Sequence, residues 1–179
     1  MIKIAITGPE SSGKTELSVW LASKLQGAFL IPEYAREYLE AKPIDYKYTS
    51  NEIVLCAEQT HEQIEKALNT STEVLICDTD FYVLDIWNQV VFDQKNERIN
   101  ELKKQHPFDV YLLCAPDIPW SYDPLRVDEY NRDGLFVMYE EALKKDNANY
   151  FIVKGNDEAR YESALAELLQ LFPTLRLKD

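Results

Sequence analysis

The chain of 179 residues is poor in the side chains that build several common kinds of site. Its three cysteines, Cys56, Cys77 and Cys114, are odd in number, widely spaced and set among apolar neighbours. That argues against a disulfide framework or a cysteine metal centre, and for buried free thiols in a reducing compartment. Imidazole is limited to His61 and His106. His61 falls on a long helical pattern and is expected to be a surface or packed residue without a role; His106 precedes Pro107 in a turn and reads as structural. Positive charge is scarce as well. Lys and Arg number 19 against 31 Asp and Glu, a formal net charge of −12, so nucleic acid and anionic membrane surfaces are not expected as partners. A small phosphorylated ligand in a local cationic pocket is compatible with that balance. No apolar run approaches the roughly eighteen residues that span a bilayer. Met1-Ile2-Lys3 leads straight into a strand without a signal-peptide pattern, so a cytoplasmic protein is expected. There is no internal repeat, low-complexity tract or linker, and residues 1–179 suit one α/β domain.

What is present is concentrated near the start. The octapeptide Gly8-Pro9-Glu10-Ser11-Ser12-Gly13-Lys14-Thr15 follows the apolar run Ile2, Ile4, Ala5, Ile6 and precedes Leu17, Trp20, Leu21 and Leu25 at helical spacing. It reads as a P-loop between a strand and a helix. Glycine at both ends lets the backbone wrap round a polyphosphate, with its N–H groups converging on the oxygens. Lys14 would lie against the β and γ phosphates, and Thr15 would hold Mg²⁺ through its hydroxyl. The helix beginning there adds its positive end. ATP and Mg²⁺ are therefore the expected cofactors.

Further along, Ala28 to Pro32 reads as a short second strand ending at Glu33. Ligands of open parallel sheets gather at strand carboxyl ends, which brings Glu33, Tyr34 and Arg36 toward the phosphates. An Arg36–Glu40 pair on an exposed helix face from Ala35 to Ala41 is the competing account of that arginine. Thr49-x-x-Glu52 is a capping box opening a helix to about Asn69, with Ile53, Val54, Ala57, Ile64, Ala67 and Leu68 as its buried stripe. Val74-Leu75-Ile76-Cys77 reads as a strand covered on both faces, and it ends in Asp78-Thr79-Asp80, a Walker B pattern. One carboxylate there is placed for Mg²⁺ and the second for the acceptor, with a plain helix cap as the alternative for either.

A polar helical region from Phe81 to Gln105 precedes a fourth strand, Val110 to Cys114. Residues 115–134, proline-rich, aromatic and charged, are too long for an ordinary connection and read as a lid. It carries Trp120, Asp123, Arg126 and Arg132. An arginine brought in by a closing lid stabilises charge on the transferring phosphoryl group, and Arg126 and Arg132 are the candidates. A solvated salt-bridge face is the alternative for both. A helix from Leu135 to Lys145, a strand from Tyr150 to Val153 and a helix from Asp157 to Leu171 complete the chain. The loop Lys154 to Asp157, with Gly155, lies where P-loop kinases commonly set the adenine.

Taken together, the P-loop, Glu33-Tyr34-Ala35-Arg36-Glu37, Asp78-Thr79-Asp80-Phe81, Pro107-Phe108-Asp109-Val110 and Trp120-x-x-Asp123-x-Leu125-Arg126 give a family resemblance over nearly the whole chain. It resembles the nicotinamide-riboside kinase domain of the bifunctional NAD-biosynthesis proteins, a P-loop AAA-type ATPase or kinase. The resemblance implies a three-layer nucleoside-kinase-like fold with a parallel five-stranded sheet in the order 2-3-1-4-5. It also implies ATP-dependent phosphorylation of the ribose 5′-hydroxyl of nicotinamide riboside. Those proteins also carry a nucleotidyltransferase domain with paired histidines, and some a DNA-binding helix-turn-helix. Neither pattern occurs in these residues, so adenylyl transfer and repression are not expected of this chain. Where the family places an aromatic before the Glu-aromatic pair, Pro32 stands here. Tyr34, Tyr38 or Trp120 are then the candidates to stack on the acceptor base.

The roles expected are these. Gly8, Pro9, Glu10, Ser11, Ser12, Gly13, Lys14 and Thr15 bind nucleotide, with Arg132 and Gly155 contributing. Thr15 and Asp78 hold the metal. Glu33 or Asp80 orients the acceptor hydroxyl, Arg126 closes on the transition state, and Glu33, Tyr34, Arg36, Asp80 and Trp120 contact the substrate. A kinase for another nucleoside uses the same parts. A non-catalytic nucleotide switch is the other alternative, though no Asn/Thr-Lys-x-Asp guanine signature occurs.

Overall fold

The computed structural model describes residues 1–178 except 44, 124, 125, 127 and 128. Pro124, Leu125, Val127 and Asp128, part of the expected lid, thus lie outside the described residues, as does the Leu125 of the family pattern.

Five strands, β1 (Ile2–Thr7), β2 (Ala28–Ile31), β3 (Val74–Asp78), β4 (Val110–Cys114) and β5 (Tyr150–Val153), form one parallel sheet in the order β2-β3-β1-β4-β5. In register, Ile4 pairs with Ile76 on one side of β1 and with Val110 on the other. β3 and β4, which flank β1, are buried throughout, as helices covering both faces require, and β1 is buried from Ile4 onward. Alternation then sorts their side chains. Ala5, Leu75, Cys77, Tyr111 and Leu113 pack toward the layer of α3 (Ser50–Leu68), α4 (Phe81–Phe92), α5 (Glu97–Gln105) and α6 (Arg132–Lys145). Ile4, Ile6, Ile76, Leu112 and Cys114 pack toward α1 (Lys14–Lys24) and α7 (Asp157–Leu171). This is the three-layer sandwich expected, with the expected strand order. The remaining helix, α2 (Tyr34–Glu40), sits at the carboxyl end of β2.

Local chemistry sets the boundaries. At the start of α3 the Thr49 amide donates to the Glu52 carboxylate at 2.7 Å, as the capping box demands. Leu68, expected in the buried stripe of that helix, is 45% exposed because it closes the last turn. The region from Phe81 to Gln105 is two helices. Asp93 takes a left-handed conformation (φ 50°) that ends α4, and the Asn96 side chain accepts the Arg98 and Ile99 amides to open α5. α6 begins three residues earlier than expected, at Arg132. The three cysteines are free and buried, and burial pushes the Cys114 thiol up to about 11. Among the described residues no helix is long and apolar enough to cross a membrane.

Candidate active site

The sheet order reverses direction at β1, and the crevice beyond its carboxyl end is where ligands of such sheets bind. The loop 8–13 fills that place. Gly8 has φ 131°, and a Cβ there would lie 2.7 Å from the Cys114 carbonyl oxygen, so only glycine lets the loop pass over β4. Gly13, at φ 75°, is the N-cap of α1. Within the loop the Ser12 hydroxyl and the Lys14 ammonium both donate to the Pro9 carbonyl, at 2.7 and 2.8 Å.

Three contacts brace the loop from outside. The Ser11 hydroxyl accepts the Ser121 amide at 2.9 Å, and Arg132 Nη1 donates to the Ser11 and Ile118 carbonyls, both at 3.0 Å. The third brace, Arg160, was not singled out from sequence. It is only 2% exposed, and its Nη2 donates to the carbonyls of Ser12 (2.8 Å) and Ala115 (3.1 Å). Its Nη1 reaches Asp117 Oδ1 at 2.6 Å and the Gly155 carbonyl at 3.0 Å, while the other Asp117 oxygen accepts the Gly155 amide at 2.8 Å. Arg160 therefore ties the P-loop to the loop after β5. An arginine four residues into an amphipathic helix carries no local signal that distinguishes it from a surface residue.

Asp78 ends β3 beside Thr15 and Lys14. It is 2% exposed, and its Oδ1 has no hydrogen-bond partner among the described residues. Burial pushes its pKa up to about 6, against the pull of Lys14 and of a hydrogen bond from Thr15. A buried, unpartnered carboxylate oxygen next to a threonine hydroxyl is a hard-oxygen donor set of the kind Mg²⁺ takes, so the residues fit that ion. Asp80, also raised to about 6 chiefly by burial, is placed differently. It is the N-cap of α4, accepts the Val83 amide at 3.3 Å, and is not part of the cavity wall. The helix-cap account fits Asp80.

One cavity runs from the P-loop into the space between α2 and α4. Gly8, Glu10, Ser11, Ser12, Gly13, Lys14 and Thr15 line its P-loop end. Glu33, Arg36, Leu39, Tyr48, Trp87 and Arg126 line the other. Glu33 is the N-cap position of α2, held 3.6 Å from Arg36 Nε. Arg36 Nη1 donates to Asp123 at 2.7 Å and to Glu40 at 3.3 Å, so the Glu40 pair exists but is one of three. Arg126 donates to the Ser121 carbonyl at 2.8 Å. Pro9, Asp78, Tyr34, Trp120, Arg132 and Gly155 are not in the wall. Tyr34 packs 6.1 Å from Tyr38, and Trp120 lies under the Arg132 guanidinium at 5.7 Å. The aromatic rings facing the cavity are instead Tyr139 from α6 and the pair Tyr48 and Trp87, which lie edge to face at 5.2 Å with the indole N–H donating to the Tyr48 hydroxyl at 3.0 Å. Both were missed from sequence, because they meet only when the connection after α2 folds across α4.

A family model described as an AAA domain matches residues 3–160. The chain belongs to that family. Its fold is shared with solved structures of NadR, one in complex with NAD and AMP-PNP (TM-score 0.77) and one with NR (TM-score 0.78), each 19% identical. These matches cover 99% of this chain but 51% and 52% of the NadR chains, so it spans about half their length. Thymidylate kinase from Candida albicans (TM-score 0.66, 16% identity, 99% of this chain and 98% of that one) has the same fold. So does deoxyadenosine kinase from M. mycoides (TM-score 0.66, 18% identity, 94% and 100%). No curated protein matches by sequence.

Proposed function

We propose that the chain is a P-loop small-molecule kinase that transfers the γ-phosphoryl group of ATP to the 5′-hydroxyl of a nucleoside, nicotinamide riboside foremost. The observation that carries this reading is the single cavity with Lys14 and Thr15 at one end and Glu33 beside Tyr48 and Trp87 at the other. A phosphate cradle joined to an acidic, aromatic chamber is what in-line transfer to a ring-bearing alcohol needs. The likeness to NadR bound to NR and to deoxyadenosine kinase supports a nucleoside acceptor.

In this reading the loop amides and Lys14 neutralise the phosphates, and Thr15 and Asp78 hold Mg²⁺. When bound there, that ion would supply positive charge to offset the negative charge developing on the phosphates. Glu33 accepts a hydrogen bond from the acceptor hydroxyl and orients it. Of the two carboxylates expected for this task, Glu33 is the one in the cavity wall, whereas Asp80 supports it by fixing α4. Tyr48 and Trp87 offer faces for the base, and Arg126 approaches the transferring group. Arg132 and Gly155 act on the nucleotide indirectly, through Ser11 and through the loop held by Arg160.

The test is mass spectrometry of products after incubation with Mg-ATP and nicotinamide riboside, alongside coupled ADP release across a nucleoside panel. A mononucleotide product from nicotinamide riboside is expected. Turnover with another nucleoside alone would reassign the acceptor, and tight ATP binding without turnover on any acceptor would favour a switch.

A further inference from the structure

The two histidines of the chain, 45 residues apart, meet where α3 packs against the C-terminal end of α5. His61 Nδ1 lies 2.6 Å from His106 Nε2, and their rings are 4.8 Å apart. Glu65 stands one turn beyond His61 on the same face of α3, with Oε1 3.7 Å from His106 Nε2. We propose that His61, Glu65 and His106 form a site for one divalent transition-metal ion of the Zn²⁺ class.

The donor atoms of the three residues all lie within 4.8 Å of one another, close enough to be drawn onto one ion. Two imidazole nitrogens and a carboxylate oxygen are a borderline donor set that suits Zn²⁺ better than Mg²⁺ or Ca²⁺. At present one ring N–H lies between the two facing nitrogens. Moving that proton to the far nitrogen of its own ring frees both facing lone pairs without any net proton loss.

The ligands are also held in advance. His106 is the C-cap of α5, 4% exposed, with its ring stacked 6.0 Å from Phe81. On α3, three residues before His61, Glu58 is gripped by both Arg98 Nε and Nη2 from α5, which fixes the spacing of the two helices. Glu65 is 46% exposed, so an ion enters from solvent and keeps a water in its fourth position. The ion would cross-link α3 to α5, an effect on stability rather than on phosphoryl transfer.

The experiment uses the full chain stripped with EDTA, titrated with Zn²⁺ by calorimetry and with Co²⁺ by visible absorption, with melting curves at each ratio. One equivalent of Zn²⁺ should bind and raise the melting temperature. His61→Asn and Glu65→Gln, both on the partly open face of α3, should each weaken binding by about tenfold or more and remove the thermal shift. Unaltered isotherms in the double variant would place the ion elsewhere, for example on Thr15 and Asp78, and overturn the proposal. So would absence of binding below millimolar Zn²⁺ in the unsubstituted chain. Neither result depends on kinase activity.

Discussion

Arg160 donates to the Ser12 carbonyl at 2.8 Å from a place 148 residues later in the chain. The same guanidinium holds the Gly155 carbonyl and Asp117, so the loop round the phosphates and the loop after β5 share one buried cation. Asp117→Asn removes the counter-charge while keeping the side chain's shape. It should raise KM for ATP several-fold with the acceptor KM unchanged, and lower stability by about 2 kcal/mol, less than a fully buried pair because Asp117 is 37% exposed. Steady-state kinetics with each substrate varied, together with denaturant melts, test this. Equal rises in both KM values would mean a general loss of structure.

Lys14→Ala should cut kcat by about 10²–10³-fold or more, as loss of a charge aimed at the transition state does. The folded state should persist, since Lys14 contributes one hydrogen bond to the loop, at the Pro9 carbonyl. ADP release and circular dichroism on the same preparation decide it; wild-type turnover would remove the P-loop from the chemistry.

Burial raises Asp78 and Asp80 from the ordinary 3.8 to about 6, and the sign of the consequence follows. For an acid whose folded pKa is raised, the folded state binds more protons between the two values, so stability falls as pH rises from about 4 to 6. Activity runs the other way, because the proposed metal site needs Asp78 ionised: it should fall with acid, and at a lower pH when Mg²⁺ is saturating, since a bound cation favours the carboxylate. Asp78→Asn should therefore melt higher than wild type above pH 6 while losing Mg²⁺-dependent turnover. A variant that melts lower at pH 7 would show the carboxylate to be stabilising as it stands.

Trp87→Ala should raise the acceptor KM by roughly tenfold, the scale of one lost aromatic face, with KM for ATP unaffected. Trp120→Ala should leave the acceptor KM alone, since that ring covers Arg132 outside the cavity. Reversal of the two results would restore the stacking role to Trp120.

What could be read in the sequence was whatever depends on neighbours in the chain. The P-loop declared itself because glycine, lysine and threonine sit at fixed offsets between a strand and a helix. β4, β5 and α7 match their expected limits because each is an uninterrupted pattern with polar ends. The aromatic end of the cavity was not legible, since Tyr48 and Trp87 are 39 residues apart and acquire a common face through packing. Arg160 was passed over, and the meeting of His61 with His106 was not foreseen, for the same reason: the partners are distant in sequence. The break at Asp93 was hidden because an aspartate within a polar helical stretch looks like solvent-facing helix until its backbone angle is seen.

Arg36 grips Glu33 from its own helix and Asp123 from the segment that carries Arg126. In the proposed reaction an acceptor hydroxyl would compete with Arg36 for Glu33, just as Asp123 competes with Glu33 for Arg36, so one shared cation links the two carboxylates. Asp123→Asn should leave Arg36 freer to pair with Glu33 and so raise the acceptor KM several-fold, with KM for ATP unchanged, in steady-state kinetics.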